Sequence, residues 1–553
     1  MLDGCTPWPD DLARRYVAAG IWQRTNLADA LGLRARSDGE RVFIFDRDGS
    51  LTYREVDRLA GQLAAELQAL GLRRNDIVLM QLPNTREFVL LFFAFHRIGA
   101  VPVLCLPAHR RFEMEHFAKI TGAVAHVFQQ GFRGFDFAGM SAQIQASTPT
   151  LRHRISIGNG TESDVTWVGP WLRRAAEVGD TVQLPATPPV DPFDVAFMLL
   201  SGGTTGVPKL IPRTHADYLF NARECARALD WNSETIYVVG LPAAHNFVLG
   251  APGLIAILAA GGSVALAAST DVDDLFSTIE RTRANVLPVT PALLITLLDS
   301  PKRRDYDLGT LAQICVGGQR MLPELFDRLL AAFPQVEPIH AFGMAEGLTN
   351  LSRPGDPLTT RRETQGRPAS SLDEIRIVDA DGSDVIDGAI GELITRGPYT
   401  IRGYFRNAEH NRSAFTADGF YRTGDLVRIH ESGNLIVEGR KKDLINRGGE
   451  KISAEEVENL ILAHDKVQRV AVVAMPCPVM GERSCAFVVT KHDASLTLAE
   501  INEFLLSKQI ARFKLPERLE VVDSFPCTAM GKVSKKALRD RIIRQLAEEA
   551  SLS

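Results

Sequence analysis

The segment SGGTTGVPK, residues 201–209, concentrates residue types that hold phosphate. Ser201, Thr204 and Thr205 bring hydroxyls, while Gly202, Gly203 and Gly206 let backbone amides approach a triphosphate, and Lys209 adds charge. It is not a Walker loop, which needs lysine directly after glycine with a hydroxyl beside it. Here Val207 and Pro208 intervene. Such a loop suits pyrophosphate, a leaving group whose charge must be held as it departs. In AFGMAEG, residues 341–347, Phe342 offers an aromatic face for a base. Glu346 offers a carboxylate of the kind that binds magnesium together with phosphate oxygens. Gly343, Met344 and Ala345 lie between them. In VGGQRM, residues 316–321, Gly317 and Gly318 make a turn fit for the other wall of a base pocket. Asp425 ends YRTGD, where a carboxylate can accept both hydroxyls of a ribose. GRKKDLINRGGEKI, residues 439–452, is dense in charge and glycine, and PCTAMGKVSKK, residues 526–536, sets Lys532 after a glycine. Each segment alone also reads as a plain turn, and Lys532 as a solvated lysine.

The surrounding elements suit this chemistry. LTYREVDRLAGQLAAELQALGL opens with Thr52 and Glu55 at capping-box spacing and continues with apolar residues at helical spacing. DIVLMQL reads as a buried strand, REFVLLFFAFHRIGA as a helix and VPVLCLP as a strand. That alternation predicts parallel sheets covered by helices. Segment 137–190 is weaker in pattern and ends in LPATPPVDP, read as a connector. DVAFMLL is a strand running into the 201–209 loop, and HADYLFNARECARAL a helix after it, the setting in which amide groups gather around phosphate. From about residue 355 short strands and turns dominate. After Arg440, Ser453 and Glu456 have capping-box spacing, and strands alternate with helices in a small α+β unit.

Composition narrows the class. The chain has 553 residues, enough for more than one domain, and a net charge of −5, which gives no reason to expect nucleic acid. The seven cysteines are scattered singly, so they read as small buried hydrophobes in a reducing compartment rather than zinc or disulfide sites. No signal peptide opens the sequence, and the apolar run from Phe247 to Ala268 is broken by Pro252 and glycines, so it reads as a core helix and strand. The expectation is a cytoplasmic protein with no membrane partner.

In this order and spacing, the segments at 201–209, 341–347, 421–425, 439–452 and 526–536 resemble those of the adenylate-forming superfamily: acyl- and aryl-CoA synthetases, luciferases and adenylation domains of nonribosomal peptide synthesis. The resemblance covers nearly the whole chain. It implies an ATP- and aryl-acid-binding domain over 1–438, made of parallel sheets covered by helices plus a distorted barrel-like β lobe. A hinge over 439–443 and a small mobile α+β lid over 444–553 would follow. It implies a ligase reaction: a carboxylate attacks the α-phosphate of Mg-ATP, then a thiol takes the acyl group and AMP leaves. Lys532 would bridge the carboxylate and the α-phosphate, Glu346 hold magnesium, Asp425 the ribose and Phe342 the adenine. Arg440 would reach the ribose or phosphate, Lys442 serve as hinge, and Gly448, Gly449 and Lys451 enter for the thioester step.

LPAAHNF, FGMAEGLTN, TRGPYTIRGYF, INRGGEKISAEEVEN and ARFKLPERLEVVDSFP are similar to stand-alone aryl acid–AMP ligases of siderophore assembly. Those activate 2,3-dihydroxybenzoate or salicylate and load it onto the phosphopantetheine of an aryl carrier protein in trans. The resemblance gives Asn246 the substrate's carboxylate or 2-hydroxyl and puts His245 at the mouth of the pocket. The dihydroxybenzoate pattern reads HNY followed by SS, and EGLVNY; here stand Phe247, Gly250-Ala251 and Thr349. Ala251 cannot bond a 3-hydroxyl, so salicylate or another 2-hydroxy aryl acid, such as 3-hydroxypicolinate, moves ahead, unless Thr349 restores the contact. An aryl-CoA ligase and an inactive nucleotide-binding scaffold stand as alternatives; the intact Lys532, Glu346 and Asp425 speak against the scaffold.

Overall fold

Thr52 starts the first long helix as its neighbours demand. Its hydroxyl accepts from the Glu55 amide at 3.2 Å and the Glu55 carboxylate accepts from the Thr52 amide at 2.7 Å, closing the box over Tyr53–Ala69. Thr214 repeats the device with Asp217 for the helix His215–Ala228. In the computed structural model, residues 2–178, 189–201, 208–386, 388–447, 450–477, 479–491, 494–508, 510–528 and 532–552 are described. A seven-stranded sheet and a nine-stranded sheet form the larger part of the chain. The first centres on Ile77–Gln81, every residue of which is buried, paired in parallel with Val101–Leu104 and Ala125–Gln129. Burial on both faces is what a continuous apolar strand requires, and it is supplied by helices such as Arg86–Ile98. The second sheet runs parallel through Ile236–Val239, Val286–Val289, Gln313–Gly317 and Glu337–Gly343. Segment 137–190, weak in sequence pattern, carries Phe137–Ser147, His153–Ile157 and Val168–Val178. The apolar run after Phe247 folds as the helix Leu254–Ala260 and the strand Ser263–Leu266. Among the described residues no helix is long and apolar enough to cross a membrane.

Glu374–Val378, Gly391–Arg396, Tyr421–Ile429 and Leu435–Arg440 pair as an antiparallel four-stranded sheet. A separate five-stranded sheet then begins at Leu444. Its strands are Leu444–Arg447, Glu450–Ser453, Val467–Cys477, Gly481–Thr490 and Arg518–Val521, with apolar clusters on both faces under helices that include Ala454–Leu462, Leu498–Ser507 and Lys535–Leu552. The box expected at Ser453 and Glu456 forms only in half. Ser453 accepts from the Glu456 amide at 3.3 Å, but the Glu456 carboxylate bonds Lys514 Nζ at 2.7 Å instead of reaching back, because a charge-assisted bond outcompetes a neutral amide. Cys105, Cys225, Cys315, Cys477 and Cys485 are buried as expected, whereas Cys5 is half-buried and Cys527, which lies outside the strands, is exposed.

Candidate active site

The 201–209 loop is tied at its neck. The hairpin Val195–Leu200 and Leu210–Thr214 is antiparallel, and past its last pair the Ser201 amide donates to the Lys209 carbonyl at 2.9 Å. The Lys209 amide donates to Ser201 Oγ at 2.9 Å. Gly202, Gly203, Thr204, Thr205 and Gly206 lie outside the described residues, as do Gly448 and Gly449. Lys451 belongs to the strand Glu450–Ser453, paired with Asn446.

The Lys209 ammonium donates to His410 Nε2 at 2.8 Å and stands 4.7 Å from the centroid of the Tyr404 ring. Burial pushes Lys209 down from the ordinary lysine range. The Tyr404 hydroxyl donates to Glu346 Oε1 at 2.8 Å and lies 2.9 Å from the Tyr421 hydroxyl. Since Tyr404 gives its hydrogen to the carboxylate, Tyr421 gives its own to Tyr404. Tyr421 opens the strand that carries Asp425, so a chain of hydrogen bonds and ring contact joins Lys209, Glu346 and the Asp425 strand. Asp425 is buried and pairs with Arg440 Nε at 2.7 Å across the Tyr421–Ile429 and Leu435–Arg440 strands. Burial pushes Asp425 up against the opposing pull of Arg440, and the Asp425 charge raises Arg440.

Lys532 lies between the last strand of the small sheet, Arg518–Val521, and the helix Lys535–Leu552. A Cβ on Gly318 would stand 3.0 Å from Lys532 Cε, and Gly318 has φ +87°, so glycine is needed there for both space and backbone. Burial first, and Arg440 second, lower Lys532 to about 8. A Cβ on Gly317 would meet the Phe247 ring at 2.8 Å, so the glycine turn is shaped to the edge of this aromatic. The phenylalanine at 342 packs beside Leu348, Ile377 and Val427, with Met344 against the same cluster. Burial and the Lys532 charge push His245 down to about 3. Its Nδ1 accepts from the Phe247 amide at 3.2 Å, so the neutral ring carries its hydrogen on Nε2 and can donate from there.

Asn246 is buried, with Oδ1 accepting from Tyr218 at 3.0 Å. Ala251 is buried in the same short segment, and its side chain carries no polar atom. Thr349 is buried, and its hydroxyl is directed to the Gly347 carbonyl at 3.5 Å.

Several residues here were not singled out from sequence. Arg213, wholly buried, bonds Asp217 at 2.9 Å, the Ala345 carbonyl at 2.8 Å and the Tyr399 carbonyl at 3.1 Å. It therefore holds the turn before Glu346 on the helix His215–Ala228. Tyr218, Tyr404, His410 and Tyr421 complete the set. The one local signal was an arginine directly ahead of a capping threonine, which reads as a surface charge until its partners are known.

Residues 33–405 match the AMP-binding enzyme family and residues 456–532 its C-terminal domain, described as AMP-binding enzyme C-terminal domain. The chain belongs to the AMP-binding enzyme family. As a member it is an ATP-dependent ligase. It is 43% identical to the 2,3-dihydroxybenzoate-AMP ligase of Bacillus subtilis (strain 168), covering 99% of each chain. It is 41% identical to the salicyl-AMP ligase / salicyl-S-ArCP synthetase of Mycobacterium tuberculosis, covering 99% of this chain and 95% of that one. The apo structure of MbtA from Mycobacterium smegmatis superposes with a TM-score of 0.74 at 39% identity, over 97% of this chain and 99% of that one. These likenesses bear out the aryl acid–AMP ligase resemblance and the α/β class read from the sequence.

Proposed function

We propose that this enzyme activates an aromatic 2-hydroxy acid, salicylate ahead of 2,3-dihydroxybenzoate, as an acyl-adenylate, and passes the aryl group to the phosphopantetheine thiol of a separate aryl carrier protein. The observation that carries the reading is Lys532 lying against Gly318, next to the turn that meets Phe247. In this reading one cation serves both the aryl carboxylate and the α-phosphate. The activities named for the B. subtilis and M. tuberculosis relatives support the substrate class.

In the first step a carboxylate oxygen of the acid attacks the α-phosphorus. The bond to the bridging oxygen breaks, and pyrophosphate leaves with its electron pair. Lys532 stabilises the charge that grows on the phosphorus oxygens; the 201–209 segment with Lys209 holds the leaving pyrophosphate; Asp425 and Arg440 face the ribose. Glu346 suits magnesium: one carboxylate oxygen carries the Tyr404 hydrogen bond, and the other makes no hydrogen bond among the described residues. Magnesium bound with ATP supplies neutralisation of phosphate charge. In the second step a thiol sulfur attacks the carbonyl carbon and AMP departs. Lys442 is the pivot on which the small domain turns between the steps, taking Lys532 away and bringing Gly448, Gly449 and Lys451 in.

The relatives are equally near for the two acids, so the proposed preference rests on the pocket residues. Phe247 and Ala251 offer no hydrogen-bonding side-chain atom to a 3-hydroxyl, and the Thr349 hydroxyl is turned to the Gly347 carbonyl at 3.5 Å. An unpaired buried hydroxyl costs about 1–3 kcal/mol, roughly ten- to a hundredfold in relative kcat/KM. ATP–pyrophosphate exchange with salicylate, 2,3-dihydroxybenzoate and benzoate is expected to rank them in that order. The double variant Phe247→Tyr, Ala251→Ser is expected to narrow the gap between the first two. A tenfold preference of the wild type for 2,3-dihydroxybenzoate contradicts this assignment of the pocket. Product analysis of the thioester with carrier protein and with CoA identifies the acceptor.

A further inference from the structure

The Asn246 side chain is held at both ends. Its Oδ1 accepts from the Tyr218 hydroxyl at 3.0 Å, and its Nδ2 lies 3.5 Å from the Met344 carbonyl oxygen. A carbonyl has no hydrogen to give. Turning the amide over would set oxygen against oxygen at Met344, and would leave the Tyr218 hydrogen without its acceptor. Tyr218 cannot readily shift to follow. It is fully buried, edge-on to Phe197 with centroids 4.7 Å apart, and the Arg213 guanidinium stands 4.8 Å from its ring centroid. Gly250 leaves room for the ring, since a Cβ there would come within 2.3 Å of Tyr218 Cε1. The amide therefore has one orientation, with Oδ1 turned to Tyr218 and a second N–H of Nδ2 left for a ligand.

We propose that Tyr218, by fixing the Asn246 amide, makes the site select an ortho substituent that accepts a hydrogen bond over one that only donates: 2-hydroxybenzoates over 2-aminobenzoates. The inference rests on the aryl-acid reading of the pocket. In a 2-hydroxybenzoate the phenol hydrogen turns toward its own carboxylate, and the oxygen lone pairs face outward to accept from Asn246. In a 2-aminobenzoate the nitrogen lone pair is spread into the ring and both hydrogens donate, so N–H meets N–H and one donor stays unpaired. Tyr218 is a positioning residue in this account. Replacing it with Phe removes the shorter of the two anchors and leaves only the 3.5 Å contact at Met344 to oppose a turn, so the amide can turn more readily to accept from an amine.

The test is pyrophosphate exchange with salicylate and 2-aminobenzoate on the wild type, Tyr218→Phe and Asn246→Asp. The wild type is expected to favour salicylate by about ten- to a hundredfold in kcat/KM. Tyr218→Phe is expected to shrink that ratio about fivefold or more, the KM of salicylate rising and that of 2-aminobenzoate falling while the KM of ATP stays put. A purely structural role would lower both acids by one factor; an unchanged ratio overturns the proposal. Asn246→Asp presents only acceptors and is expected to favour the amine, and it decides the matter if Tyr218→Phe does not fold. An Asp variant as salicylate-selective as the wild type overturns the proposal as well. A wild type that activates neither acid overturns the aryl-acid reading itself, an outcome distinct from an active enzyme with an insensitive ratio.

Discussion

Lys532→Ala loses at least about a hundredfold in adenylate formation and keeps most of its rate of thioester formation from a supplied adenylate. The loss corresponds to about 2.7 kcal/mol of transition-state stabilisation. Lys532 is one cation against Gly318, in the field of Arg440 and Asp425, and in the proposed mechanism it serves only the step in which negative charge grows on phosphorus. Its depressed pKa adds a second expectation. The ammonium is present below a pH of about 8 and lost above it. Adenylation kcat/KM in the free enzyme therefore falls as pH rises through that region, and the bound triphosphate moves the fall in kcat to higher pH. The thioester step does not follow the same profile. Pyrophosphate exchange and single-turnover transfer from a synthetic adenylate measure the two halves separately. Equal losses in both would remove Lys532 from the role assigned to it.

Lys442→Pro leaves pyrophosphate exchange largely intact and cuts thioester formation by about a hundredfold or more. Lys441–Asp443 form a single 3₁₀ turn. Such a turn has φ between about −50° and −70°, which a proline at about −65° satisfies, so the state with Lys532 docked tolerates the ring. The proposed rotation of the small domain about Lys442 needs a different backbone at this point, and the ring opposes it. Contacts across the junction hold the docked state meanwhile: Ser453 Oγ donates to the Glu438 carbonyl at 2.7 Å. Release of AMP with carrier-bound product, followed beside the exchange reaction, separates the two effects. If both half-reactions survive, Lys442 is not the pivot.

Much of the site was legible because phosphate chemistry is local in sequence. Glu346 in its glycine-flanked turn and Asp425 within a strand stand out from their immediate neighbours alone, whereas the 201–209 segment, read as lying between strand and helix, joins two antiparallel strands, because Leu210–Thr214 pairs back on Val195–Leu200 before the helix His215–Ala228 begins. The half-formed box at Ser453 shows the limit of local reading. Glu456 has the right spacing, yet Lys514, 58 residues away, claims its carboxylate. Arg213 was passed over for the same reason, since only its buried partners distinguish it from a surface charge.

The sequence by itself determined the layered α/β architecture, because apolar periodicity dictates which faces must be buried. It also determined the family, because the order of its glycine-, threonine- and carboxylate-bearing segments is written along the chain. The tertiary structure alone decided how those segments meet. Lys209 finds His410 across 201 residues, and Asn246 is oriented by Tyr218 across 28. Lys532 takes its lowered pKa from burial against a different domain. Hydrogen-bond direction and desolvation depend on which groups share a small volume, and no local pattern of residues carries that information.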